Sequence, residues 1–242
     1  MSASRERLDE FVERMRSAAG ENLLSVILYG SASRQDFNEA YSDLNLLCGL
    51  RDADPAELAR IAPVVHWWSK ELRQRPPLVM SVEEFRSSAD VFAIEVLDMQ
   101  ADHRVLHGTD IVAGLEVSMT SHRVELEREL RTTSLKLRQH FIFACDDEEE
   151  LKRVLIRSAS TTLTLLRHAL ITLGEPRAGT NAAVLQRVAE IMRVDVSPFE
   201  AALALREHRS VQVGYRQIFE EYVRLLAAVV SAVDNAGPQR ST

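Results

Sequence analysis

Asp43 and Asn45 lie two residues apart in the run Tyr41-Ser42-Asp43-Leu44-Asn45-Leu46-Leu47. Side chains at that spacing on a strand project from one face. Oxygen ligands gathered there suit a hard cation such as Mg²⁺, which also takes oxygens from substrate phosphates. Upstream, Gly30-Ser31 closes the apolar run Ser25-Val26-Ile27-Leu28-Tyr29. Gly30 has no Cβ, so the chain can turn sharply and its backbone can approach an anion. Ser31 offers a hydroxyl where a helix would begin, and N–H groups at such a start can face a phosphate. Arg34 is a cation within reach of that phosphate, or else a solvated helix residue. The plain alternative is a strand–turn–helix–strand unit in which Ser42 and Asp43 are ordinary turn residues.

The elements that must position these groups change character along the chain. Up to about residue 116, short apolar runs alternate with helical patterns. A helix is predicted from Pro55 to about Arg75, where Pro76-Pro77 ends it and opens the strand Leu78-Val79-Met80. Ser81 followed by Glu83-Glu84 suits a helix start. Val105-Leu106 before His107-Gly108 reads as a last short strand. From Ser118 onward the pattern is helical, with Val124, Leu126, Leu130, Leu135, Leu137 and Phe141 read as one apolar stripe. Further helices are predicted over Leu151–Leu173, Asn181–Met192, Pro198–Arg209 and Gln212–Val233. The fold class is α+β: a small mixed sheet over 1–116, a helical bundle over 117–234 and a polar tail, expected to be disordered, over 235–242.

The Gly-Ser turn followed by Ser-Asp-x-Asn resembles the signature of the polymerase-beta-like nucleotidyltransferase superfamily, in which the second acid of Ser-Asp-x-Asp is here Asn45. The two-part layout is similar to that of aminoglycoside nucleotidyltransferases. Pro77 to Gly108 resembles uncharacterised relatives that also carry Ser-Asp-x-Asn. The motif-level resemblance covers about residues 25–50. It implies an NTP bound through Gly30, Ser31, Arg34 and Ser42, Mg²⁺ on Asp43 and Asn45, and NMP transfer to a small-molecule or protein hydroxyl. Members of the superfamily use three carboxylates and two metal ions. Asn45 brings no charge, and the strand that would supply the third acid, Leu78-Val79-Met80-Ser81, has none.

Glu95 is the best replacement acid, because it sits within Val91-Phe92-Ala93-Ile94-Glu95-Val96-Leu97 and acids are seldom set among apolar residues without a reason. Its alternatives are the wet face of a helix or a pair with a nearby arginine. The histidines show no metal-ligand spacing, so a surface or packing role is expected for each. One ring of Trp67-Trp68 is expected in the core and the other at a cleft. Asp146 to Glu150 is expected to open a helix, where acids complement the positive end.

Three functions compete: an active nucleotidyltransferase, a nucleotide-binding or regulatory protein of the same fold that has lost turnover, and a helical domain of the HEPN ribonuclease type. The last needs Arg-x(4–6)-His, which Arg138-Gln139-His140, Arg167-His168 and Arg206-Glu207-His208 do not provide. A net charge of −7 gives no global field for nucleic acid or an anionic membrane. No apolar run approaches a membrane span, and the polar N-terminus lacks a signal-peptide core. Cys48 and Cys145, far apart in apolar contexts, point to buried thiols in a reducing, cytoplasmic setting. A homo-oligomer is left open.

Overall fold

The computed structural model describes residues 3–33 and 44–236. The chain divides into two compact units, Met1–Ser121 and His122–Thr242. Among the described residues every strand lies in the first unit.

The first unit opens with α1 (Ala3–Ala19) and β1 (Leu23–Tyr29), and a short 3₁₀ turn (Gly30–Ser33) follows. β2 (Asn45–Leu50) pairs antiparallel with β1, and α2 (Pro55–His66) leads to β3 (Leu78–Ser81), parallel to β2. α3 (Val82–Ser87) and α4 (Ala93–Ala101) precede β4 (His103–Gly108), which pairs antiparallel with β1. The sheet order is therefore β3-β2-β1-β4, a mixed sheet. β1 is apolar on both faces, and the period of two sends its side chains into two cores. Val26 and Leu28 meet Leu8, Phe11 and Met15 of α1, while Ile27 packs with Leu47, Phe85, Val96 and Met99.

Local chemistry sets the helix starts. Asp54 accepts the Glu57 N–H at 2.9 Å ahead of Pro55, and a proline at the first helical position gives up no needed donor. Ser81 and Glu84 form a reciprocal capping box. The predicted Pro55–Arg75 helix is shorter than expected: α2 stops at His66 and one wide π turn, Trp67–Glu71, finishes it. Both tryptophans are buried there, correcting the expectation that one lines a cleft. Trp68 stacks at a tilt on Phe11, and the Arg14 guanidinium lies 4.0 Å over the Trp67 ring.

The second unit holds α5 (Met119–Ala144), α6 (Glu148–Thr172), α7 (Asn181–Met192), α8 (Ser197–Arg206) and α9 (Tyr215–Asn235), with α6 packed on α7, α8 and α9. Asp147 caps α6 through the Glu150 N–H, and Glu148 receives the Tyr215 N–H at the start of α9. The acidic run thus opens helices, as its sequence suggests. Arg123 donates to the last carbonyls of α9, including Val233, where a cation is favoured. The stripe read on α5 is partly wrong. Leu126, Leu130 and Leu137 are buried, but Val124 is 65% and Leu135 57% exposed. Two positions off the buried row turn a side chain about 200° around a helix, away from the core. No helix among the described residues is long and apolar enough to cross a membrane.

Candidate functional site

Strand register brings one row of residues to a single end of the sheet. Tyr29, the last residue of β1, lies opposite Asn45 on β2 and opposite His103 on β4. Directly opposed residues on antiparallel strands share a face, so Tyr29 and Asn45 project together, on the side of Ile27 and Leu47. Leu47 is level with Leu78, where the parallel pairing begins, and just ahead of it the Leu44 N–H donates to the Gln74 side-chain oxygen at 3.5 Å. Gly30, Asn45, Gln74 and Asp102–His103 therefore gather at this end.

Gly30 has φ +79°, a conformation that side chains disfavour, which is the physical reason for glycine at this turn. A Cβ there would stand 3.4 Å from the Asn45 Nδ2 atom, so the turn and the amide are neighbours. The Gly30 N–H donates to the Asp102 carbonyl at 2.9 Å, and the Ser33 hydroxyl donates to the Gly30 carbonyl at 2.7 Å. The turn is tied to Asp102, the residue between α4 and β4, and with the Gly30 N–H engaged an anion at this turn would be met by the groups that follow it. Arg34, Ser42 and Asp43, together with the Ser31 side chain, lie outside the described residues.

Glu95 sits in the first turn of α4 and is exposed. Its apolar neighbours Ile94 and Val96 are buried, so the acid is on the open side of an amphipathic helix and not in the core. Its charge nevertheless reaches the Tyr29 phenol. Burial raises the half-buried Tyr29 phenol above its ordinary pKa, the Glu95 carboxylate raises it further, and the Arg75 guanidinium opposes both. Arg75 was not singled out in the sequence, where it reads as the end of a helix. Its place emerges from the anchoring of residues 74 and 75 on Leu44 and Trp68.

Two other polar regions contrast with this end. An open cleft of about 300 Å³ lies at the opposite end of β1, lined by Gly20, Asn22, Arg51, Asp52, Glu57 and Arg60. Its Asn22 amide donates to the Asp52 carbonyl and the Glu57 carboxylate, and Arg60 pairs with Glu57. That network ties the chain together instead of offering groups to a ligand. In the helical unit, His122 Nε2 lies 2.8 Å from His168 Nδ1 with both rings fully buried. Two histidines 46 positions apart carry no sequence signal of pairing; only the packing of α5 with α6 could reveal it. Among the described residues no three His, Cys, Asp or Glu side chains gather as a metal set.

The architecture is similar to that of a solved enzyme, the spectinomycin adenyltransferase AAD(9) from Enterococcus faecialis, determined with ATP and spectinomycin. The TM-score is 0.57 at 13% identity, over 93% of this chain and 98% of that one. What the two chains share is the α+β architecture, with a mixed sheet ahead of a helical region. No family model matches the sequence, and no curated protein matches it. At that identity the likeness is one of architecture. In this fold the Gly30 turn and the start of β2 come together at one end of the sheet, with Tyr29 beside them and Glu95 and Arg75 within electrostatic reach of its phenol.

Proposed function

We propose that this chain is a nucleotidyltransferase-like protein that binds an NTP at the Gly30–Ser31 turn, with Arg34, Ser42 and Asp43 as further ligand-facing groups. The observation that carries the reading is the juxtaposition of the left-handed Gly30 turn with Asn45, in a fold shared with an adenyltransferase solved with ATP. The reaction class is NMP transfer. An acceptor hydroxyl forms a bond to the α-phosphorus, the bond to the β-phosphate oxygen breaks, and pyrophosphate leaves. Glu95, an exposed carboxylate next to this end, is the candidate base for the hydroxyl proton. The acceptor is a small-molecule or protein hydroxyl.

Mg²⁺ at Asp43 and Asn45 is the cofactor implied by the superfamily resemblance, and the donor set does not fit a two-ion centre. Asn45 offers a neutral amide, and β3, Leu78–Ser81, offers no acid. We route no step through a metal. The same donor set favours a second reading, nucleotide binding without turnover, in which the chain acts by regulation or partnering. No observation favours a nuclease role for the helical unit.

Thermal unfolding with each of the four NTPs tests the binding claim, because a ligand at about 100 times its Kd stabilises by about 2.7 kcal/mol. Ser31→Ala should reduce the shift and Ser87→Ala, on α3, should not. No shift with any NTP at millimolar concentration rejects the site. Pyrophosphate release then separates the two readings. Transfer that disappears in Asp43→Ala supports an enzyme; intact binding with no release supports the binder. Asn45→Asp should tighten Mn²⁺ binding if positions 43 and 45 share an ion, and equal affinities would show that they do not.

A further inference from the structure

The helical unit presents a second apolar row on the outward side of α5. Leu126, Leu130, Leu137 and Ala144 are buried, whereas Leu135 is exposed, Ile142 is 79% exposed and Phe143 89%. At about 100° per residue, Leu135 and Ile142 lie within about 20° of one line along the helix, opposite the buried row. A helix that is apolar on two sides has two faces to cover, and the bundle covers one. We propose that the second face, at the end of α5, docks on the same face of a second copy of this chain. The contact is an antiparallel two-fold one centred on Ile142, and it is independent of nucleotide binding.

Charge identifies the occupant. Lys136 and Arg138 flank the apolar row on its two sides, both are exposed, and neither has an ion pair among the described residues. Beyond Ile142 the chain turns acidic, from Asp146 to Glu150. Three of these acids are engaged within the chain. Asp147 caps α6, Glu148 accepts the Tyr215 N–H, and Glu150 pairs with Arg153 and Arg157. The other two point outward. The Asp146 side chain is 88% exposed even while it meets Arg216, and Glu149 is 67% exposed and 3.9 Å from Lys152.

A basic arm therefore precedes Ile142 and an acidic arm follows it. Arg138 comes four residues before Ile142 and Asp146 four after, while Lys136 and Glu149 stand six and seven away. A two-fold axis at Ile142 reverses the chain direction, so each basic arm meets the partner copy's acidic arm. Such a contact is self-complementary, as a two-fold interface must be. It sets apolar side chains at the centre and opposite charges at the rim. An anionic lipid surface would attract Lys136 and Arg138 but repel the acidic arm beside them, which favours a second copy. The apolar centre is small, and small interfaces belong to weak, reversible association.

Sedimentation velocity of the full chain over a concentration series tests this. The wild type should pass from monomer to dimer with a Kd on the order of 10 μM. Ile142→Asp, which buries a charge at the centre of the contact, should weaken association about tenfold or more. Val124→Asp, on the same side of α5 but about five turns away, should match the wild type. Lys136→Glu with Arg138→Glu makes both arms acidic, and Asp146→Lys with Glu149→Lys makes both basic. Each double variant alone should stay monomeric, and an equal mixture of the two should dimerise. A wild type that stays monomeric at about 200 μM, a dimer that survives Ile142→Asp, or a mixture that fails to associate overturns the proposal. Flotation with vesicles containing about one-quarter phosphatidylserine covers the other occupant: binding by a monomeric wild type, lost in Ile142→Asp, assigns the face to lipid and overturns the second copy. Circular dichroism melts confirm folding, and should a double variant fail to fold, Ile142→Asp and Val124→Asp carry the test.

Discussion

In the helical unit His122 and His168 face each other in a sealed interior, whereas at the open end of the sheet Asn45 is half-buried and Arg75 and Glu95 are exposed. The interior groups answer one another. Tyr222 is likewise fully buried, donates to the Thr162 hydroxyl at 2.7 Å and accepts from Ser158 at 3.2 Å. Burial pushes its phenol up to about 12 against the lowering effect of both hydrogen bonds. At the sheet end the groups come from separate segments and are fixed by their backbones: β2 by its register, residues 74 and 75 by Trp68, and Glu95 by α4. Buried polarity must be satisfied within the protein to be tolerated, so it serves the fold. Polarity held at the rim of a rigid sheet faces solvent in a fixed arrangement and can serve a ligand.

The largest expected effect links the two kinds of region. Trp68→Ala removes a fully buried ring and the donor to the Arg75 carbonyl, so denaturant unfolding should show a loss of about 3–5 kcal/mol. ATP binding by the folded fraction should also weaken, and a loss below about 1 kcal/mol would mean that the core does not hold the sheet end. Tyr222→Phe should cost about 1–2 kcal/mol, because it leaves Thr162 and Ser158 without their phenol partner. It should leave ATP affinity unchanged. A change in affinity there would erase the distinction between the two regions.

The smallest effect concerns Asp110, after β4. Burial pushes its carboxyl up, but hydrogen bonds from His103 and from the Ala113 and Val112 N–H groups outweigh this and hold it below the usual range. A carboxylate whose folded-state pKa is depressed stabilises fully above its unfolded value, about 3.9, and that contribution is lost as pH falls through the lower folded value. Asp110→Asn should therefore melt slightly lower than wild type at pH 6, and the gap should close in more acidic buffer. A gap that widens on acidification would contradict the assignment.

How much of this was legible in the sequence depended on how local the cause was. The Ser81–Glu84 cap and the helix starts at Asp147 and Glu148 arise within a few residues, so residue type and spacing were sufficient. β1 and β2, with the Gly30 turn after β1, were legible for the same reason. The fate of Val124 and Leu135 was not, because apolar character says little about which side of a long helix a bundle covers. Trp67 and Trp68 are both buried because the π turn widens the helix end and Arg14 of α1 closes over Trp67, a contact across more than fifty residues. Arg75 was hidden for a related reason: only the anchoring of residues 74 and 75 on Leu44 and Trp68, ahead of the β2–β3 pairing, brings this segment to the start of β2.

Hydrogen–deuterium exchange with and without saturating ATP tests the central claim most directly, since a ligand slows exchange where it contacts or rigidifies the backbone. ATP should protect peptides covering residues 29–33, 44–47 and 74–76 and leave those covering Thr162, His168 and Tyr222 unchanged. Protection confined to the helical unit or to the cleft around Asn22 and Arg51, with residues 29–33 exchanging as in the free protein, would contradict it.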